Sequence, residues 1–160
     1  MYFKHIIVII GLILISGCSG NPKKEMEKSK PVSEYIDVDG NTVSLSGFKG
    51  KRVLVNYWAT WCIPCIKEMP SLVHAQEILK DEGYIFLFPT TDSLEKIIAF
   101  NQKKNYPLQF LHYTSSLDKL KIYALPATFI YNDEGEMVKR IDGATEWDSE
   151  EIINLLKAIK

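Results

Sequence analysis

A chain of 160 residues, 46% hydrophobic and 24% charged, carries enough apolar material for one ordinary globular core, so a single folded domain is the default. Its formal net charge of −1 excludes the basic surplus that draws a protein to nucleic acid or to an anionic membrane surface.

Lys4 and His5 precede an apolar run from Ile6 to Ile15 that closes on Ser16 and Gly17, the anatomy of a signal peptide over residues 1–17. A membrane-spanning helix needs roughly 20 apolar residues, and this run is about half that. The segment Ile15-Ser16-Gly17-Cys18 resembles the lipobox of bacterial lipoproteins, which implies cleavage before Cys18 and lipidation of that cysteine. From Ser19 to Pro31 the chain is polar, rich in lysine and glutamate, and without apolar periodicity, so residues 18–31 read as a lipid-bearing cysteine and a flexible tether. The folded domain is then expected over 32–160, in the cell envelope and facing the extracytoplasmic side, in a periplasm or at a cell surface. With Cys18 as an anchor, Cys62 and Cys65 are the remaining thiols, and in an export compartment a disulfide between them can persist. A loop so short has little entropy to remove, so the pair points to chemistry more than to stability.

Tyr35-Ile36-Asp37-Val38 and Thr42-Val43-Ser44-Leu45 alternate polar with apolar residues around the turn signal Asp39-Gly40, predicting an N-terminal hairpin. Val53 to Trp58 and Tyr84 to Phe88 are continuous β-prone runs of the kind buried on both faces of a parallel sheet. Between them Met69, Leu72, Val73, Gln76 and Leu79 share one helical face, which makes a βαβ unit. Asp92 or Ser93 can cap a second helix to about Lys104, with Leu94, Ile97 and Ile98 on one face and Pro107 ending it. A strand from Leu108 to His112 and a short helix around Leu117 to Ile122 follow. Thr128 to Tyr131 and Met137 to Ile141 form a second hairpin across Asn132-Asp133-Glu134-Gly135. A last helix starts near Asp148, whose spacing to Glu151 resembles a capping box, and buries Ile152, Ile153, Leu156 and Ile159. The order after the first hairpin, βαβαβαββα, predicts an α/β fold with a mixed central sheet and helices on both faces.

Trp61-Cys62-Ile63-Pro64-Cys65 lies between a buried strand and a helix, the setting that makes a CxxC pair redox-active. At the first helical turn, Cys62 is the expected exposed nucleophile, its thiolate stabilised by free backbone N–H groups and the helix dipole. Cys65, one turn in, is expected to be more buried and to resolve the mixed disulfide. Pro64 suits the first turn, where its missing N–H costs nothing. No second CxxC completes a four-ligand zinc site, so neither metal nor other cofactor is expected. Glu68 shares a helical face with Cys65, where a carboxylate can exchange a proton with the thiol; the rival reading is an exposed first-turn glutamate.

The stretch from Gly50 to Cys65, Gly50-Lys51-Arg52-Val53-Leu54-Val55-Asn56-Tyr57-Trp58-Ala59-Thr60-Trp61-Cys62-Ile63-Pro64-Cys65, resembles the TlpA/ResA family of thioredoxin-like proteins. The match extends from about Val32 to Lys160, with Asp39-Gly40, Leu45, Glu68, Pro70, Pro126 and Gly135 at the family's positions. The resemblance implies a thioredoxin-like fold with an added N-terminal β-hairpin and a central insert, here roughly Ser93 to Tyr113. It also implies a membrane-tethered thiol-disulfide oxidoreductase that reduces exported proteins, including apocytochromes c or copper-site assembly proteins. Asn56 stands where ordinary thioredoxins carry a buried aspartate, and a neutral amide cannot act as a base, which raises the weight on Glu68. Leu125-Pro126 is implied to be a cis peptide facing the dithiol, with Pro126 in the catalytic set. Trp61, Ile63, Pro64 and Leu125 are the expected substrate-contacting residues. Leu120 departs from the family, which often has tyrosine there.

Ile63 brings neither charge nor hydrogen-bond donor to Cys62, which favours a reducing dithiol. The expected partners are a disulfide-bearing exported protein, a membrane thiol protein that donates electrons, and the membrane itself through the anchor, with the protein a monomer. Three rival readings are copper or metal delivery through the thiolates and a histidine, His112 if any because His74 is too far up the helix; a thiol peroxidase; and a non-catalytic binding domain using the surface near Trp61 and Pro126.

Overall fold

The computed structural model describes residues 34–160; the expected signal peptide, Cys18 and the tether lie outside the described residues. Its centre is the strand β3 (Arg52–Tyr57), whose alternate side chains feed two apolar cores. Leu54 and, just beyond the strand, Trp58 enter one, while Val53, Val55 and Tyr57 enter the other. In chain order the strands are β1 (Tyr35–Asp37), β2 (Thr42–Val43), β3, β4 (Tyr84–Thr90), β5 (Gln109–Tyr113), β6 (Ala127–Tyr131) and β7 (Met137–Asp142). The helices are α1 (Ile63–Ile78), α2 (Leu94–Lys104) and α3 (Glu150–Ala158).

The strands form a seven-stranded mixed sheet in the order β2-β1-β5-β4-β3-β6-β7, with β3, β4 and β5 parallel. The two crossovers β3-α1-β4 and β4-α2-β5 step in the same direction across the sheet, and right-handed connections therefore put both helices on the same face. Met69 and Leu72 of α1, Ile97 of α2, and Ile153 and Leu156 of α3 accordingly share one core. The return from β5 to β6 crosses the opposite face as a 3-10 turn, Leu117–Leu120. A second 3-10 turn, Leu45–Phe48, lies on that face too, so helices on both faces are present only in this shortened form.

Several boundaries move for local reasons. The first hairpin is shorter than expected and joins the main sheet, Tyr35 pairing with Tyr113. Its turn is held by the Asp37 carboxylate, which accepts from the backbone N–H groups of Asp39 and Asn41 and from the Asn41 amide. Asn105, in the left-handed region at φ 53°, ends α2 before Pro107 is reached, and Ile98 on that helix is exposed while Ile97 is buried. Ser149, not Asp148, caps α3 by accepting from the Ile152 N–H. Asp148 instead pairs with His74 on α1 at 2.9 Å. Leu120 is half-buried beneath the second core, and its carbonyl accepts from Arg140.

Candidate active site

Beyond β3 the chain turns through Trp58 to Trp61 and enters α1 at Cys62. This loop is fixed from below. The Trp58 backbone N–H donates to the Pro89 carbonyl and its indole to the Phe88 carbonyl, at 3.2 and 3.0 Å. Its ring packs against Phe100 and Phe110, at centroid distances of 4.7 and 5.0 Å. The Thr60 N–H donates to Asp92 at 2.8 Å, which is the place Asp92 takes in the fold.

Cys62 is the N-cap of α1 and is disulfide-bonded to Cys65, with the two Cα atoms 5.3 Å apart. The Cys65 N–H donates to Cys62 Sγ at 3.3 Å, so a free N–H of the first turn does point at this sulfur. Cys65 is fully buried, as its spacing predicts. Cys62, expected to be exposed, is only 3% exposed: the bond to Cys65 turns its sulfur inward, and the neighbouring Trp61 and Ile63, 72% and 66% exposed, take the solvent-facing positions. Pro64 is exposed in the first turn, and these three side chains form an apolar rim beside the disulfide.

Glu68 follows Cys65 by one turn, about 4.5 Å along the helix axis. It is not an exposed first-turn glutamate: only 5% of it reaches solvent. Three donors converge on its carboxylate. Asn56 Nδ2 reaches Oε1 at 2.8 Å, while the Thr145 backbone N–H and the Trp147 indole N–H reach Oε2 at 2.9 and 3.0 Å. Burial raises the Glu68 pKa above its ordinary range, and the donors from Thr145, Asn56 and Trp147 offset part of that rise. Pro64, Lys67, Glu68, Ala144, Thr145 and Glu146 line a shallow surface depression beside the site.

Leu125-Pro126 is a cis peptide, as the resemblance implies. Pro126 is buried, and its carbonyl accepts from the Gly143 N–H at 2.9 Å. Leu125 precedes the start of strand pairing at Ala127 and touches both cores. The segment 143–147 therefore braces Pro126 at one end and Glu68 at the other; the Trp147 N–H also donates to Ser71 on α1. Thr145 and Trp147 escape sequence reading because their partner lies 77 and 79 residues away, and no local pattern signals the contact. Thr128, directly opposite Asn56 in the β3–β6 ladder, completes the polar cluster. His112 donates from Nδ1 to the Asp92 carbonyl rather than approaching the cysteines, and no cluster of three metal-ligating side chains occurs among the described residues.

A CxxC disulfide at the start of a helix, a buried carboxyl one turn below it, and a cis-proline loop ahead of an antiparallel strand define a thioredoxin-fold thiol-disulfide oxidoreductase. Its chemistry is a two-electron exchange between dithiol and disulfide. The chain belongs to the Redoxin family, which matches residues 23–156, and within it is TlpA/ResA-like. It is 32% identical to the thiol-disulfide oxidoreductase ResA of Bacillus cereus over 99% of this chain and 96% of that protein. Its identity to the protein of the same name from Bacillus subtilis is 34%, over 84% and 79%. Among solved structures it is similar to the exposed lipoprotein thioredoxin Etrx1 of Streptococcus pneumoniae. There the TM-score is 0.62 and the identity 30%, covering 79% of this chain and 98% of that one. The thioredoxin domain of a thiol-disulfide oxidoreductase from Bacteroides vulgatus gives a TM-score of 0.66 at 25% identity, over 78% and 92%.

Proposed function

We propose that this protein is a lipid-anchored, extracytoplasmic reductase of disulfides in exported proteins, apocytochromes c among its candidate substrates. The observation that carries the reading is the buried carboxyl of Glu68 one turn beneath Cys65, beside a shallow surface depression that Glu68 helps to line. In the reduced protein, the Cys62 thiolate attacks a substrate disulfide, forming a mixed disulfide and releasing one substrate thiolate. Glu68 takes the proton from the Cys65 thiol, and the resulting thiolate attacks Cys62 Sγ. The second substrate thiolate leaves, the Cys62–Cys65 disulfide closes, and two electrons have passed to the substrate. The proton on Glu68 departs to solvent or to the leaving sulfur. Trp61, Ile63, Pro64 and Leu125 provide the apolar seat for the substrate chain, which lies along the backbone ahead of Pro126 in the manner of an added strand.

Ile63 offers the Cys62 thiolate no charge, which supports a potential nearer the about −270 mV of thioredoxin than the about −120 mV of DsbA. A membrane thiol protein then returns the dithiol to its reduced state. Cys18 supplies the anchor.

Replacing Cys65 by serine tests the core of this reading: substrates should remain covalently attached to Cys62 and be recoverable from envelope extracts. Absence of any captured disulfide partner would count against it. Cys18→Ala should release the full-length protein from the membrane fraction, and retention there would remove the anchor.

A further inference from the structure

The two oxygens of the Glu68 carboxyl are not equivalent. Oε2 receives the Thr145 backbone N–H and the Trp147 indole N–H, neither of which can turn into an acceptor. A proton arriving at Glu68 therefore sits on Oε1. That oxygen faces Asn56 Nδ2 at 2.8 Å, and the same amide nitrogen spends its second hydrogen on Thr128 Oγ1 at 2.9 Å. Asn56 is fully buried, and its Oδ1 has no hydrogen-bond partner among the described residues.

Protonation of Oε1 turns the 2.8 Å contact into two donors pointing at each other. A half-turn of the Asn56 amide removes the conflict: Oδ1 moves into the place of Nδ2 and accepts from the Glu68 hydroxyl. Thr128 adapts as well, because a hydroxyl that accepts in one arrangement donates in the other. Both arrangements use the same heavy-atom positions; the reversed one leaves Nδ2 rather than Oδ1 in the partnerless place, a cost set against the clash of two donors that the reversal removes. We propose that Asn56 is a positioning residue that reverses its side-chain amide when Glu68 gains a proton. The amide then stabilises the ionised acid in one orientation and the protonated acid in the other, keeping the carboxyl in place throughout the cycle. This deepens, and rests on, the reading of Glu68 as the proton partner of Cys65.

The groups that face the carboxyl are few. Asn56 and Thr128 on the strands and Trp147 beyond β7 do not titrate, while Lys67 and Glu146 line the shallow surface depression that Glu68 also borders. In the oxidised protein the Cys62–Cys65 disulfide does not titrate either, which isolates the acid.

The test is nuclear magnetic resonance on the oxidised full chain with labelled asparagine and glutamate, followed through the titration of the Glu68 carboxyl carbon. The Asn56 Nδ2 protons should show contacts to the Thr128 side chain above the Glu68 midpoint and lose them below it, with the same midpoint. Glu68→Gln provides a fixed version, since its carbonyl must face Thr145 and Trp147 and its NH₂ must face Asn56; the low-pH pattern should then hold at every pH. Thr128 contacts that persist through the wild-type titration overturn the proposal, as does a carboxyl that never titrates while the domain is folded. Should the variant fail to fold, the wild-type titration alone decides. A titrating Glu68 with a motionless amide sinks only this inference. If Cys65 reactivity at each pH is the same in wild type and Glu68→Gln, the reading of Glu68 as its proton partner falls instead.

Discussion

Glu68 concentrates the chemistry of the site in one side chain, and its substitution separates two roles. With glutamine there, capture of substrate by Cys62 should continue while resolution slows by about 10²-fold, the lower end of what a placed general base contributes. Accumulation of the mixed disulfide in single-turnover experiments would show it. The same variant carries a stability signature. Because the folded-state pKa of Glu68 is raised from 4.5, the native state holds its proton longer than the unfolded chain does, and stability falls as pH rises from about that value through the folded pKa. Glu68→Gln should match the wild type in acid and gain on it toward neutral pH, measured by denaturant melts at several pH values. Trp147→Phe acts in the opposite sense on the acid. It removes the 3.0 Å indole donor to Oε2, so the titration of Glu68 should move to higher pH, and where Glu68 is ionised the fold should lose about 1.5–3 kcal/mol. A titration curve that does not move would show that the indole contributes packing alone.

Elements differ in how openly the sequence announces them. The dithiol and its helix are local: strand, Trp61-Cys62-Ile63-Pro64-Cys65 and apolar periodicity follow one another within thirty residues, and each is readable in place. The cap of the last helix was harder: Asp148, the expected start, pairs with His74, and Ser149 next to it accepts from the Ile152 N–H. The segment 143–147 was not legible, since its sequence has no periodicity and its purpose lies in contacts to Pro126 ahead of β6 and to Glu68 and Ser71 on α1. It turns on Gly143, at φ 91°, where an added Cβ would meet nothing within 4 Å. Gly143→Ala should therefore cost about 1–2 kcal/mol through backbone conformation alone and loosen the brace on Pro126. Gly47→Ala, also in open space but without a positive φ, is the control that should cost little. Equal costs at the two positions would refute this account.

Across the whole molecule, the mixed sheet was legible from the order of its elements, but the placement of α1 and α2 on one face was not, because it depends on the direction of successive crossovers rather than on any pattern within them, and α3 joins them from beyond β7. A second global feature is equally silent in sequence: Arg52, at the start of β3, gathers the end of the chain. Its guanidinium donates to the Ile159 carbonyl at 3.0 Å and lies 4.8 Å from the centre of the Tyr84 ring, while the Tyr84 hydroxyl donates to the Leu156 carbonyl at 2.8 Å. Arg52→Ala should lower stability by about 1.5–3 kcal/mol, the range for hydrogen bonds to a charged group, and speed amide exchange over residues 157–160. Unchanged exchange there would mean that α3 holds its own end.

The hairpin pairing fixes which end of the sheet Glu34 occupies. β1 runs against β5 with Tyr35 opposite Tyr113, and the Thr114 N–H donates to the Glu34 carbonyl, so Glu34 lies at the carboxyl end of the parallel strands, the end from which Cys62 departs. Three strand spacings, about 15 Å, separate β1 from β3. A bulky label on the Glu34 side chain would thus stand at the same end of the sheet as the sulfurs. A fluorophore or affinity handle added after Lys160 stands at the far pole, a full strand length from the sulfurs.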